Sequence, residues 1–241
     1  MKKEYWFVII TYIAMQLSSI VGVPIFMLIG SSTGMPADEL EVKSAAYWIV
    51  FSFLVALSLI LLLMRKDMRE NIDRKDQASI PMSIFWAIAG IFLALFSQTI
   101  AGSIEQMLGV ESESENTQQL ISLIYKVPLV IFVTSVIGPI LEEIIFRKII
   151  FGSLHKRFNF FISALLSSVI FGLAHGEFEH LLLYTAMGFT FAFLYKHTGR
   201  ILVSICAHVA MNTLVIVFQV VYREDIEKML DTAQAFIGGL L

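Results

Sequence analysis

Charge is scarce in this sequence. Asp, Glu, Lys and Arg make up 15% of the 241 residues, where about 25% is usual. A soluble fold of this size could not cover its surface with so few charges. The net charge is −3 and no basic face is present, which excludes a nucleic-acid module and a nucleic-acid partner. Cysteine is almost absent. The single Cys206 allows no intramolecular disulfide and no thiolate metal cluster, and reads as a small residue packed in an apolar helix. An HExxH zinc-protease helix is missing as well. What remains is hydrophobic: 57% of the residues, with a mean hydropathy of +0.79. Disorder is excluded on the same ground, and an integral protein of the cell membrane, with the lipid bilayer as its main partner, is expected.

Seven apolar segments stand out, at 5–29, 45–64, 80–102, 120–152, 158–176, 180–196 and 200–221. Each is read as a spanning helix, since about 20 apolar residues cross the hydrocarbon core and about 17 suffice. The fold class expected is all-α: one membrane-embedded helix bundle of seven spans, formed by residues 1–241. The first segment follows MKKEYW and is too long for a signal-peptide core, so it reads as a retained span. The fourth is long and holds Pro128 and Gly138-Pro139, so a kink or an unwound turn is expected there. The tail 222–241 carries apolar residues at helical spacing with charges between, and reads as an amphipathic helix on the membrane surface. If it crossed instead, the spans would number eight. The acidic loop Glu105–Gln119 reads as the mobile connection.

Basic residues set the orientation. With these spans, 13 of the 17 Lys and Arg fall on one side: the N-terminus, the loop after the second segment, the 147–157 region and the 196–200 turn. Positive charge stays inside, so the N-terminus is expected in the cytoplasm.

Most polar residues within the spans fall in three segments, grouped here in a core at about 120–221. Segment four reads Glu142-Glu143-Ile144-Ile145-Phe146-Arg147 after Gly138-Pro139. Segment five reads Phe171 to His175. Segment seven reads His208 to Asn212. An acid at the bilayer centre costs about 2.5–3.5 kcal/mol on insertion scales, so such residues are functional candidates. Glu143 and Arg147 are four apart, on one face and in the favourable acid-first order, and can neutralise each other. Glu142 is turned about 100° away and has no basic residue at i+3 or i+4. It is the free carboxylate, and Glu143 the structural one. At about 1.5 Å per residue, Glu142 and His175 lie about 16 and 22 Å from the 153–160 turn, and His208 and Asn212 about 12 and 18 Å from Arg200. All four fall in one slab. Gly172 and Gly176 would let a neighbouring helix approach beside His175. Two other patterns are set aside. Gly30-Ser31-Ser32-Thr33-Gly34 matches G-x-S-x-G with no preceding strand, and Glu177, Glu179 and His180 read as a solvated turn.

In these three segments the chain resembles the CAAX protease and bacteriocin-processing (CPBP, Abi, Rce1-like) family of intramembrane glutamate proteases. Its EExxxR motif matches Glu142 to Arg147, its FxxxH motif Phe171 to His175, and its HxxxN motif His208 to Asn212. The resemblance implies a bundle of seven or eight helices and peptide hydrolysis within the membrane, with no metal or other cofactor. It implies that Glu142 and His175 hold the attacking water and that His208 and Asn212 form the oxyanion hole, with Glu143, Arg147 and Phe171 supporting them. The implied substrate is a membrane-associated protein or small peptide, in CAAX-type, pheromone or bacteriocin processing. The chemistry is sound on its own terms. A desolvated carboxylate can take a proton from water, and Asn and His donors can stabilise a tetrahedral oxyanion in a low-dielectric cavity.

Other readings use the same residues. Glu142, His175 and His208 would be a plausible zinc ligand set for a metalloprotease. A non-catalytic membrane regulator could bind a partner through the polar cavity. A transporter could use the carboxylate as a proton relay.

Overall fold

The computed structural model describes residues 2–70, 77–111 and 114–221. Among the described residues there are helices and no strands. In chain order they are α1 (Lys3–Leu17), α2 (Ser19–Ser32), α3 (Ala37–Glu70), α4 (Ile80–Met107), α5 (Glu115–Lys126), α6 (Leu129–Leu154), α7 (Phe160–Ala174), α8 (Leu181–Thr198) and α9 (Ile201–Val221). The expected tail helix 222–241 lies outside the described residues.

The helices follow the apolar segments, with three differences. The first segment bends by 48° between α1 and α2. Ser18 sits at the break and bonds back to the carbonyl of Met15 at 2.6 Å. Trp48 of α3 donates from Nε1 to the Ser18 hydroxyl and lays its ring where a side chain at Gly22 would stand, so only glycine fits there. The fourth segment is two helices, α5 and α6, separated at Val127-Pro128.

The third difference is at Pro139. The helix neither breaks nor unwinds there but widens. The turn Val133–Ile137 is π-helical, and the N–H of Gly138 reaches back five residues to the carbonyl of Val133. A wide turn absorbs the donor that proline lacks. The hydroxyls of Thr134 and Ser135 bond to the carbonyls of Val130 and Ile131, satisfying groups that the widening strains. A second π-helical stretch covers Glu143–Phe151, and the Phe146 carbonyl within it accepts from Ser167 of α7 at 2.7 Å.

Helix α6 is the axis of the bundle. Its apolar window is 61% buried, against 11% for α4. Val130, Val133, Ile137, Leu141, Ile145 and Ile149 pack there against Tyr12, Ala56, Ile60 and Phe171. A second core joins α4, α8 and α9 through Ala94, Phe191, Leu194 and Ala207. The outside carries large apolar side chains such as Ile20, Leu62, Phe92 and Phe161, which is the surface a lipid-facing bundle needs. Cys206, expected in packed surroundings, is exposed on this outer surface.

By length and composition four helices can cross a membrane: α3, α4, α6 and α9. Counting the bent α1–α2 pair as one span gives five. The count of seven would also need α7 and α8. Helix α7 has 15 residues, about 22 Å at about 1.5 Å per residue, and so is short for a core of about 30 Å. The ends of the bundle differ in charge. At one, Asp67 is buried and accepts from Lys2 at 2.6 Å and Tyr5 at 3.0 Å, with Lys148 3.1 Å away. The N-terminus, the end of α3 and the 147–157 region thus share one end, as the basic residues imply. Lys126 and Glu39 pair at the other.

Candidate functional site

Each expected site residue is placed by local structure. Pro139 and its π-helical turn put Glu142 and Glu143 in the middle of the buried α6. Asn159 caps α7, accepting the Ile162 N–H at 3.0 Å. Gly176 ends that helix in a left-handed conformation (φ +77°), so His175 closes its last turn. Gly199, also left-handed (φ +64°), ends α8 and turns the chain into α9, which carries His208 and Asn212. Gly172 lies against Leu181 of α8, where an added methyl would meet its side chain at 2.8 Å. Of the two glycines expected to admit a neighbour, Gly172 does so and Gly176 instead makes the turn.

Glu142, His175, His208 and Asn212 all line one cavity of about 530 Å³. Its walls include Phe53 of α3, Gln98 of α4, Thr117, Leu120 and Ile121 of α5, Thr134 of α6, Tyr184 and Met187 of α8, and Val215 and Gln219 of α9. The mixture is apolar with scattered amides and hydroxyls, and no Lys or Arg is among the lining residues.

Behind the cavity lies a closed charge cluster. Glu143 is fully buried and Arg147 1% exposed. The Arg147 Nε lies 3.3 Å from Glu143 Oε1. Both Nη atoms of Arg147 lack a hydrogen-bond partner among the described residues, and aromatic faces stand in their place. The guanidinium lies 4.2 Å from the Phe171 ring centre and 5.4 Å from that of Phe191, within cation–π range. Phe171 is thus a platform for Arg147.

Glu143 does more than its spacing from Arg147 suggests. Its Oε1 also lies 2.9 Å from His208 Nδ1. A carboxylate only accepts, so Nδ1 carries a proton and donates it. His208 is stacked on Phe191 at 4.3 Å, and its Nε2 lies 3.7 Å from Glu142 Oε2. The imidazole therefore stands between the two glutamates. His175 is fixed likewise: its Nδ1 lies 2.8 Å from the Phe171 carbonyl, which can only accept. Nδ1 is the protonated nitrogen, and Nε2 on the far side of the ring is left for the cavity. Among the described residues no group of three or more His, Cys, Asp or Glu is arranged to hold a metal ion. The zinc reading therefore gains no support from the donor geometry.

The turn read as solvated is structured. His180 is buried, with Nδ1 3.1 Å from Glu105 Oε2, and Glu105 Oε1 accepts the Leu183 N–H at 2.9 Å. Glu177 accepts from Tyr184 at 2.6 Å, Ser114 at 2.7 Å and the Asn116 N–H at 3.0 Å. Of the segment expected to be mobile, Glu105 closes α4 and Ser114 and Asn116 open α5, each held by these bonds, and residues 112–113 lie outside the described residues. Tyr184, which stacks on His175, lies outside every motif, and only its spacing of nine from His175 across a helix start could have pointed to it.

Residues 125–214 match the family model described as type II CAAX prenyl endopeptidase Rce1-like. A putative membrane peptidase, YdiL, of Bacillus subtilis (strain 168) is 51% identical over 242 aligned residues, which cover 100% of this chain and 99% of the relative. The membrane-embedded CAAX protease MroQ of Staphylococcus aureus (strain USA300) is 33% identical over 201 residues, 79% of this chain and 81% of the relative. No solved structure matches the chain.

Proposed function

Because the chain belongs to the Rce1-like family of membrane CAAX-type proteases, we propose that it is an intramembrane endopeptidase that uses glutamate-activated water. The substrate in this reading is a membrane-associated protein or small peptide. The observation that carries it is the convergence of Glu142, His175, His208 and Asn212, from three separate helices, on one cavity.

Glu142 and the Nε2 lone pair of His175 hold a water, and Glu142 takes its proton as the oxygen attacks the scissile carbonyl. The oxygen of the tetrahedral intermediate receives donors from the Asn212 amide and from His208. With Nδ1 committed to Glu143, His208 can donate from Nε2 only when both of its nitrogens are protonated. Glu143 is the counter-charge that suits this form, and Arg147 pairs with Glu143 in turn. Glu142 then returns its proton to the leaving amine. The N-terminus is cytoplasmic in this reading, on the strength of the basic residues at its end of the bundle.

The test compares peptides from membranes and medium of cells carrying wild type or Glu142→Gln. The amide cannot accept the proton, so cleavage should fall by about 10²–10⁴ at unchanged protein level. Equal cleavage by both would remove Glu142 from the chemistry and favour a regulator that only binds.

A further inference from the structure

His175 is held more firmly than a residue at the end of a helix needs to be. Its Nδ1 donates to the Phe171 carbonyl. The Tyr184 ring lies almost parallel to the imidazole, with centres 4.0 Å apart and planes 22° apart. The Asn116 side-chain amide donates to the His175 carbonyl at 2.9 Å. Glu177 joins the two sides of this clamp. One of its oxygens takes the Tyr184 hydroxyl, and the other takes Ser114 Oγ and the Asn116 N–H. Ring and backbone of His175 are thus fixed through one carboxylate. Neither Tyr184 nor Glu177 belongs to the three motifs.

A side chain that helps hold the attacking water works only if its lone pair points at that water. A hydrogen bond at Nδ1 sets which nitrogen is basic but leaves the ring free to rock about that bond. A flat ring stacked on its face removes the rocking, and an anchored hydroxyl keeps the second ring from sliding. Resting on the peptidase reading above, we infer that Tyr184 and Glu177 are positioning residues for the reaction: they hold the His175 imidazole so that Nε2 faces the water shared with Glu142. The competing role is a staple, in which the pair merely fastens the start of α5 to α8 and His175 is indifferent to it.

The full chain in detergent micelles separates the two. Histidine is labelled with ¹⁵N, and the His175 signals are identified by their loss in His175→Gln. At mildly alkaline pH the wild type should show His175 in one tautomer, protonated at Nδ1. Tyr184→Leu should show mixed tautomers. On the best-cut member of a library of internally quenched apolar peptides, its kcat should fall about 10²-fold with KM within about twofold, since small misplacements of a reacting group cost that much. Tyr184→Phe keeps the stack and loses the anchor, and Glu177→Gln weakens the same anchor. Both should lose about tenfold in kcat, and these two variants decide between the roles if Tyr184→Leu does not fold. Wild-type tautomer and wild-type kcat in these variants would overturn the inference and leave the staple. Glu142→Gln is measured alongside. If it cleaves as wild type does, the glutamate-activated water falls, and the tautomer spectra alone decide whether Tyr184 and Glu177 position His175.

Discussion

Among the described residues, two histidines lie buried against a buried carboxylate, and the two pairs differ in what surrounds them. In one, His180 faces Glu105 at 3.1 Å; in the other, His208 faces Glu143 at 2.9 Å. The second oxygen of Glu105 takes the Leu183 N–H in the first turn of α8. An anion there meets the positive end of the helix and an otherwise orphaned donor. Both oxygens of Glu105 are used, one by the helix start and one by His180, although His180 also lines the cavity. The second oxygen of Glu143 has no hydrogen-bond partner among the described residues, while its first serves both Arg147 and His208. Beside it stands a second carboxylate, Glu142, which opens on a cavity. The same two side-chain types make an anchor where backbone satisfies them. They make a candidate reaction centre where charge is left over next to open volume.

The largest expected effect that would separate the two is on turnover. Asn212→Ala should lower kcat by about 10²–10³ with little change in KM, because the charge it stabilises exists only in the transition state. Steady-state kinetics on a cleaved peptide measure this. A raised KM with unchanged kcat would make Asn212 a substrate-binding residue. Next comes the cost of removing each acid. Glu143→Ala leaves Arg147 buried without its counter-charge, at about 3–5 kcal/mol, and protein abundance should collapse. Glu105→Ala loses a helix cap and a histidine partner, at about 1–2 kcal/mol, with cleavage per folded molecule retained. Unfolding titrations in mixed micelles give both values, and equal losses would break the distinction.

A smaller effect concerns Glu177. Burial pushes its carboxyl up, but the hydrogen bonds from Tyr184, Ser114 and Asn116 outweigh this and hold it below its ordinary 4.5. A lowered value means the contribution is full above 4.5 and is lost as pH falls through the lowered value. Glu177→Gln should therefore melt about 2–4 °C below wild type at neutral pH for a loss of about 1 kcal/mol. The gap should close on acidification, as thermal scans at neutral and acidic pH would show. The smallest expected effect is none: chelators should leave cleavage unchanged. Activity lost with one tightly bound zinc per chain would restore the metalloprotease reading.

Depth is legible in the sequence, and facing is not. A fixed rise per residue puts Glu142, His175, His208 and Asn212 at one level, and the fold turns all four toward one cavity. The Glu143–Arg147 pair follows from i,i+4 spacing. The bond from His208 to Glu143 spans 65 residues, and no local pattern announces it. Glu105, Glu177 and His180 mislead for a related reason. Their own segments are polar and look solvated, while their partners come from elsewhere: Leu183 for Glu105, Ser114 and Asn116 for Glu177. Cys206 goes the other way, since an apolar helix shows one face to its neighbours and another to lipid. The span count does not follow because hydropathy marks apolar segments and says less about whether a helix such as α7 is long enough to cross.

The shortness of α7 has a consequence for the bilayer itself. Its outer face, with Phe161, Leu165, Ile170 and Leu173, is exposed along about 22 Å, and a hydrocarbon layer of about 30 Å overshoots it. Acyl chains beside a short apolar face compress rather than leave polar ends in oil. With α7 embedded in the bilayer, the water boundary would dip on the side where that helix ends at His175. A residue that would lie several ångströms inside a flat membrane is brought close to the aqueous phase by the local thinning, and the solvent a hydrolase consumes gains a short route to it.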